Sequence, residues 1–154
     1  MSLTFHKESL KDCLEEIKPL WFSHWKETEG YRDIQGYSPD ISQFLYMEEL
    51  GWFAEYTARN EDGKMVGHAG FIIHKSRHTS KKTAIEDYFY LLPEARQGMA
   101  AVKLLRFAIA DLKKTGCVDI GMSSKLTNDI EPLLKRVGFT PVAKLYMMNV
   151  QENL

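Results

Sequence analysis

The residues best suited to chemistry stand in one short polar turn between a hydrophobic run and an amphipathic segment. The hydrophobic run covers residues 83–92, the turn covers 93–98, and helical periodicity begins at about Met99. A helix leaves the N–H groups of its first turn unpaired, and its dipole places positive potential at the same end. Arg96 adds a fixed positive charge there. Together these features predict an anion pocket that suits a diphosphate.

Small and flexible residues in the turn would let a ligand reach the main chain. Gln97, Gly98, Ala100 and Ala101 present little bulk at this point. Strand, turn and helix also follow one another in many α/β proteins that bind nothing there. An ordinary strand-to-helix junction therefore stays an open alternative on spacing alone.

Strands and helices that could position this turn follow one another along the whole chain. In the segment after the turn, Ala101, Leu105, Ala108 and Leu112 recur at three- and four-residue spacing, which is typical of an amphipathic helix. Pro19 interrupts the first helical pattern and should kink it or start a second segment. The order βααβββαβαβ, ending in a strand through Val142, Leu145 and Met147, predicts an α/β fold with a mixed sheet and helices on both faces.

Composition limits the function classes. The 154 residues fit one domain, 1–154, and a net charge of -1 gives no reason to expect nucleic acid as a partner. No apolar run approaches the length of a membrane span. Two cysteines, Cys13 and Cys117, stand far apart, which fits a reducing compartment. We therefore expect a soluble cytoplasmic protein with no membrane partner.

Several segments resemble one known family. The segment from Tyr90 to Arg96, followed by the run from Leu104 to Ala108, resembles the acetyl-CoA-binding motif of the GNAT acetyltransferases. Residues 61–67 before a strand and 134–139 near the end agree in order. The resemblance extends to GNAT-like proteins of phages and prophages, which carry a His-x-x-Glu pair in an early helix, a histidine before the central strand and a short C-terminus. It covers nearly the whole chain.

The resemblance implies a fold, a cofactor and a reaction. The fold would be the GNAT fold, with a mixed, mostly antiparallel sheet of six to seven strands. The reaction would be direct transfer of an acetyl group from acetyl-CoA to a primary amine, on a small molecule or a peptide. The main chain near 91–93 would hold the pantetheine as an added strand. The implied acetyl-CoA-binding residues are Leu91, Leu92, Pro93, Arg96, Gln97, Gly98, Met99, Ala100 and Ala101.

Acetyl transfer to an amine also requires a base. A lysine-like acceptor has a pKa of about 10.4 in water, so a side chain must remove its proton. Glu86 and Asp87 on the central strand are the candidates, and alternation lets only one point into the cleft unless a bulge intervenes. We favour Asp87, which shares a face with Phe89 and Leu91 and matches the acidic position of the phage-type proteins. A charge at a sheet edge is the alternative.

The remaining site candidates lie in the first helix, the loop after it and the basic loop. His24 and Glu27 are three apart on one helix face, but a third ligand for a metal is missing, so we predict no metal site. The resemblance implies that they bind or deprotonate the acceptor, with His78 approaching from the basic loop. It also implies that substrate choice lies in the loop 28–38, where we add Tyr31 to the acceptor-binding set.

Two departures from the family pattern keep a second function open. Leu134 stands where many GNAT enzymes place the tyrosine that protonates the leaving thiolate, and Tyr146 on the last strand is the substitute to consider. Met99 stands where the usual turn has its middle glycine, although Gly98 could take that role in a shifted turn. The alternative function is a non-catalytic CoA-binding sensor or a phage-related structural module. The acceptor and the oligomeric state, including a homodimer, stay open.

Overall fold

A five-stranded mixed sheet with helices on both faces forms the core of the protein. The computed structural model describes residues 1–29 and 36–151. The elements are β1 (Thr4–Glu8), α1 (Leu10–Thr28), α2 (Ile41–Glu49), β2 (Phe53–Arg59), β3 (Met65–Lys75), β4 (Lys82–Leu91), α3 (Ala100–Lys114), β5 (Asp119–Gly121) and α4 (Glu131–Val137). A short 3₁₀ turn, Pro93–Ala95, lies between β4 and α3.

The sheet has the strand order β1-β2-β3-β4-β5. The first three pairings are antiparallel, and β5 runs parallel to β4. Only three residues of β4, Thr83 to Ile85, pair with β5. On that side, no strand in the described part of the chain pairs with residues 86–91. The second half of β4 therefore has an open edge.

The predicted last strand does not form in the described part of the chain. The segment 139–149 forms neither strand nor helix. Its apolar side chains are exposed, with Val142 at 92% and Leu145 at 82%. An apolar pattern reports a preference for burial, but a strand also needs a partner edge, and β5 is only three residues long. The described sheet thus has five strands instead of the expected six to seven.

Helix α1 packs on one face of the sheet. Its buried side chains, Ile17 and Trp21 among them, pack with Phe53 of β2 and Tyr88 of β4. The helix continues through Pro19 as one element, so the expected second segment does not form. At its start, the Glu48 carboxylate of α2 accepts hydrogen bonds from the Leu10 amide at 2.6 Å and the Ser9 hydroxyl at 2.9 Å. Such bonds satisfy amides that a helix start leaves unpaired, and they join α1 to α2.

Helix α3 covers the opposite face. Leu104, Ala108 and Leu112, which repeat at helical spacing, are fully buried against Tyr56 and Phe71 of the sheet. The expectation of helices on both faces is therefore confirmed. None of the described helices is both long and apolar enough to span a bilayer.

A bulge interrupts β4 at the position that matters most for the site. Gly70 pairs with Tyr88, but the next residue, Phe71, pairs with Glu86. Asp87 is therefore the extra residue of the bulge. Glycine is required opposite Tyr88, because a Cβ on Gly70 would lie 2.6 Å from the Tyr88 ring. The pairing of these residues fixes where β4 bends.

Candidate active site

A cavity of about 410 Å³ lies beside the bulge of β4. Its walls come from α1, from residues 36–44, from residues 86–89 of β4 and from residues 123–130. Aromatic rings form much of the wall, and three carboxylates also line it. The aromatic wall consists of Trp21, Trp25, Tyr37 and Phe44, and the carboxylates belong to Glu29, Glu86 and Asp87.

The bulge turns both candidate bases toward this cavity. In a regular strand Glu86 and Asp87 would point to opposite faces. Both line the cavity here, because the extra residue breaks the alternation. Ser123 holds the Glu86 carboxylate by its amide at 3.3 Å and by its hydroxyl at 3.4 Å. The Asp87 carboxylate has no hydrogen bond or ion pair to the described residues, so it is the freer of the two.

Their surroundings shift both carboxyl groups toward the range of a useful base. Burial raises the pKa of the half-buried Glu86 above its ordinary value. The protein atoms around the cavity also raise the pKa of Asp87, although solvent reaches its side chain. Lys125 opposes both shifts. A carboxylate with a raised pKa binds a proton more readily at neutral pH, as a general base should.

His24 faces the cavity from α1. Its ring stacks on the Tyr90 ring with 5.3 Å between centroids. Burial lowers the pKa of His24, so the imidazole is neutral at pH 7. A neutral imidazole can accept a hydrogen bond or a proton from an amine. The predicted place of His24 beside the acceptor site is consistent with this position.

Glu27 faces away from the cavity toward the turn after β4. Its two carboxylate oxygens accept hydrogen bonds from Arg96 at 2.7 and 2.6 Å. Arg96 also donates from Nε to the Leu91 carbonyl at 2.7 Å, and its guanidinium lies 5.2 Å from the centre of the Tyr90 ring. The pKa of Glu27 is lowered, chiefly by its hydrogen bond with Arg96. The Arg96 charge that the sequence predicts at the turn is therefore paired with Glu27 of α1.

The main chain of the turn presents several free donors. Gly98 adopts a positive φ of 58°, and open space surrounds the place where a Cβ would stand. Ala100 donates to the Gln97 carbonyl at 3.2 Å. Several neighbouring amides donate no hydrogen bond to an acceptor in the described part of the chain. They belong to Gln97, Gly98, Met99, Ala101 and Val102. Free amides at the start of a 15-residue helix fit an anionic diphosphate.

The residues just before this turn are held in place by the sheet. The Leu92 amide donates to the Val66 carbonyl at 2.8 Å, and Pro93 begins the 3₁₀ turn. Met99 is half-buried just before α3, and Gly98 carries the left-handed conformation in the way a shifted turn would require. The amide donors and the open edge of β4 therefore form one continuous main-chain surface.

Two other predicted site residues, His78 and Tyr146, do not line the cavity. His78 lies in the exposed turn between β3 and β4, where its amide donates to the Ser76 hydroxyl at 3.2 Å. Tyr146 is 83% exposed on the segment that forms no strand, and it does not line the cavity. Tyr31 lies outside the described residues. Leu134, at the usual tyrosine position, is buried in α4.

Sequence reasoning missed a buried polar group behind the cavity wall. The Tyr88 hydroxyl donates to one Glu55 oxygen, and the His68 Nδ1 lies 3.2 Å from the other. Glu55 and His68 are both 0% exposed. Burial raises the pKa of Glu55 and lowers that of His68, so both side chains are neutral. Gly70 lies between Glu55 and Tyr88 in the strand register, a relation that only the pairing reveals.

Within the described ranges, no three metal-ligating side chains come together. The carboxylates, the imidazole and the free amides of the site suit proton transfer and anion binding. Carboxylates with raised pKa values face a cavity on one side of the open β4 edge, and free amides lie at its end.

The chain is similar to one protein family and to several solved structures. The model of the acetyltransferase (GNAT) family matches residues 10–139. No curated protein matches at a significant level. Among solved structures, a predicted acetyltransferase with acetyl-CoA from Clostridium acetobutylicum is 15% identical, with 98% of each chain covered and a TM-score of 0.72.

Two further solved structures show the same similarity of fold. AAC(6')-Iy in complex with a bisubstrate analogue, CoA-S-monomethyl-acetylneamine, is 18% identical over 97% of this chain and 98% of that chain, with a TM-score of 0.73. Ribosomal-protein-alanine N-acetyltransferase from Brucella melitensis biovar Abortus 2308 is 15% identical over 97% and 99%, with a TM-score of 0.72. At such low sequence identity, the similarity shows a common fold and no more.

Proposed function

The chain belongs to the acetyltransferase (GNAT) family, and from this premise we propose that it is an N-acetyltransferase that uses acetyl-CoA and a primary amine. One observation carries the proposal. The open half of β4 has the carboxylates of Glu86 and Asp87 at its start and the free amides of the turn at its end. A thioester along this edge would place its acetyl group beside a base.

The turn would hold the diphosphate of CoA. The free amides of Gln97, Gly98, Met99, Ala101 and Val102 supply donors, and the dipole of α3 supplies positive potential at the same place. The main chain of β4 up to Leu91 would pair with the amide-containing pantetheine arm as an added strand. The Arg96 side chain adds its charge next to the turn, although it is bound to Glu27.

The carboxylates would make the acceptor nucleophilic. An amine is largely protonated at pH 7, so Asp87 would take its proton, with Glu86 or His24 as the neighbouring acceptors. The neutral amine would then attack the thioester carbonyl carbon, forming the C–N bond as the C–S bond breaks. The leaving thiolate is the weaker base of the pair, so a dedicated acid is less necessary than a base.

A second candidate function is favoured by the missing acid. Leu134 is buried at the usual tyrosine position, and Tyr146 does not line the cavity. A protein that bound CoA as a sensor, or served as a phage-related structural module, would keep the turn and lose the reaction. Fold similarity alone does not separate the two candidates.

Turnover separates them. The protein is incubated with acetyl-CoA and a panel of primary amines, and free thiol is measured over time. We expect thiol release that depends on the amine and that rises with pH. Thermal stabilisation by CoA with no release above a heat-denatured control would instead favour the binding module, and neither effect would contradict both.

We also propose two finer assignments. The chain belongs with the phage- and prophage-type members of the family, which is supported by the positions of His24, Glu27 and His78 in the sequence. It acts in the cytoplasm, which is supported by two cysteines that are free and buried in the described structure.

A further inference from the structure

The cavity beside the bulge also limits which amine could enter. Its volume, about 410 Å³, lies at the low end of the range for small-molecule sites, which is roughly 300–1,000 Å³. A compact molecule fills such a space. The inference below rests on the proposed function, because it names the acceptor of that same site.

Much of the cavity wall is aromatic. Trp21 packs on Phe44 with 5.0 Å between ring centres, and Trp25 lies 5.8 Å from Tyr37. Trp21 is buried, whereas Trp25 and Tyr37 are only half-buried and keep surface available at the cavity. Aromatic faces bind flat apolar groups and cations. This wall therefore suits an apolar body attached to an ammonium group.

The charges of the cavity favour a single cation. Glu29, Glu86 and Asp87 contribute negative charge, and Lys125 is the one lysine among the described lining residues, with no arginine beside it. Lys125 forms an ion pair with Glu29 at 2.6 Å. Its charge is thus already matched, and little remains to bind a phosphate or carboxylate on the acceptor. Glu86 and Asp87 are left to receive one ammonium group.

We infer that the acceptor is a small, singly charged primary amine with an aromatic or similarly flat apolar body. Its amino group would lie between Glu86 and Asp87, and its body would lie against Trp25 and Tyr37. Among the described lining residues, an anionic amino sugar finds no unpaired cation for its charge. A polycation would place its further charges away from Glu86 and Asp87, and the third carboxylate of the described lining, Glu29, is already paired with Lys125.

Binding of matched probes tests the inference. The full-length protein, with CoA present in excess, is titrated by calorimetry with 2-phenylethylamine, n-butylamine, 1,4-diaminobutane and glucosamine 6-phosphate. 2-Phenylethylamine and n-butylamine carry the same charge, so their difference isolates the ring. We expect 2-phenylethylamine to bind about tenfold more tightly than each of the others, since a ring contact is worth about 1.5 kcal/mol.

Two variants test whether the aromatic wall causes the preference for 2-phenylethylamine. Trp25→Leu should weaken binding of 2-phenylethylamine about fivefold and change that of n-butylamine less than twofold, because only the ring contact is lost. Trp25→Phe keeps an aromatic face and should retain most of the preference. Circular dichroism and thermal melting confirm that both variants are folded.

The outcomes distinguish this inference from the proposed function. Tighter binding of the diamine or the phosphorylated amino sugar, equal binding of all four probes, or no binding of any would overturn the inference. Thiol release from acetyl-CoA is measured in parallel with the same probes. Binding in the expected order without release would contradict the proposed function alone, and release with the reverse order would contradict the inference alone.

Discussion

The turn after β4 and the cavity beside its bulge lie at opposite ends of the same open strand edge, and different parts of the chain build them. The turn and the start of α3 present free main-chain amides within one short segment, between Gln97 and Val102. The cavity consists of side chains from α1, residues 36–44, β4 and residues 123–130. The turn thus depends on local conformation, whereas the cavity depends on how distant elements pack.

The electrostatics of the two regions differ as well. At the turn, the charge of Arg96 is balanced by Glu27, and the pKa of that carboxyl is lowered. At the cavity, burial raises the pKa values of Glu86 and Asp87 and lowers that of His24. One region is ready to bind an anion, and the other is ready to exchange protons. Changes at each region should therefore affect different kinetic constants.

The largest effect is expected from Asp87→Asn. Loss of the base should lower kcat by about 10²–10⁴-fold and leave the KM for acetyl-CoA unchanged, since the turn is intact. The raised pKa of Asp87 predicts that wild-type activity rises with pH above the ordinary range of an aspartate, as the carboxylate forms. The variant should lose that rise. Steady-state kinetics from pH 5 to 9 measure both.

Glu86→Gln is the matched control for this change. Ser123 already donates to Glu86, so the amide variant can keep one of these hydrogen bonds and should lose less activity than Asp87→Asn. If Glu86→Gln abolished turnover while Asp87→Asn stayed within twofold of wild type, the base would be Glu86. If neither mattered, the cavity would have no part in proton transfer.

A smaller effect is expected at the turn. Glu27→Gln should release the Arg96 guanidinium and lower the Kd of CoA severalfold, whereas Arg96→Ala should raise the KM for acetyl-CoA about tenfold, with kcat unchanged. Calorimetry with CoA and steady-state kinetics provide the two constants. The opposite signs are the test, because an ion pair that only supports the fold would make both variants less stable and move neither constant.

The buried group behind the cavity predicts a change in stability with pH. Burial raises the pKa of Glu55 well above its ordinary value, so its contribution to stability is fully present below about 4.3, the usual pKa of a glutamate, and is lost as the pH rises toward the folded-state pKa. Over that window, each pH unit costs up to about 1.4 kcal/mol. Glu55→Gln stays neutral and lacks this loss, so its stability relative to wild type should rise with pH.

Chemical denaturation at pH 5 and pH 8 measures the difference. The side chain of Glu55→Gln can still accept the hydrogen bond from the Tyr88 hydroxyl. The control is Glu55→Leu, which cannot accept this bond and should be less stable than Glu55→Gln at both pH values. A constant gap between wild type and Glu55→Gln across this range would mean that Glu55 is ionised when buried.

The sequence predicted the turn after β4, which is built from neighbouring residues, better than the cavity, which is built from distant elements. Helical spacing, the polar turn and Gly98 all lie within 30 residues of each other, and each expectation depends on backbone preferences that a short segment carries by itself. The mixed sheet and the helices on both faces followed from the order of the elements, whereas the number of strands did not. The family resemblance added the GNAT fold and the expected acetyl-CoA, which no spacing in this chain could supply.

The cavity needed information that the sequence does not display. The bulge that turns Glu86 and Asp87 to one side follows from the register of Gly70 against Tyr88. Trp25 and Tyr37 became a wall only when α1 and the residues before α2 packed together. The expected last strand does not form for a related reason. The apolar pattern of residues 142–147 favours burial, but it does not provide a partner strand.

The smallest effect is expected from Tyr146→Phe. The Tyr146 side chain is 83% exposed on a segment that forms no strand, and it contributes nothing to the cavity wall. Removal of its hydroxyl should therefore change kcat less than twofold, in contrast to Asp87→Asn. Steady-state kinetics with the same amine and acetyl-CoA measure both variants. A loss of kcat beyond tenfold, with the KM for both substrates unchanged, would show that the C-terminal segment closes over the thioester during turnover and supplies the missing acid.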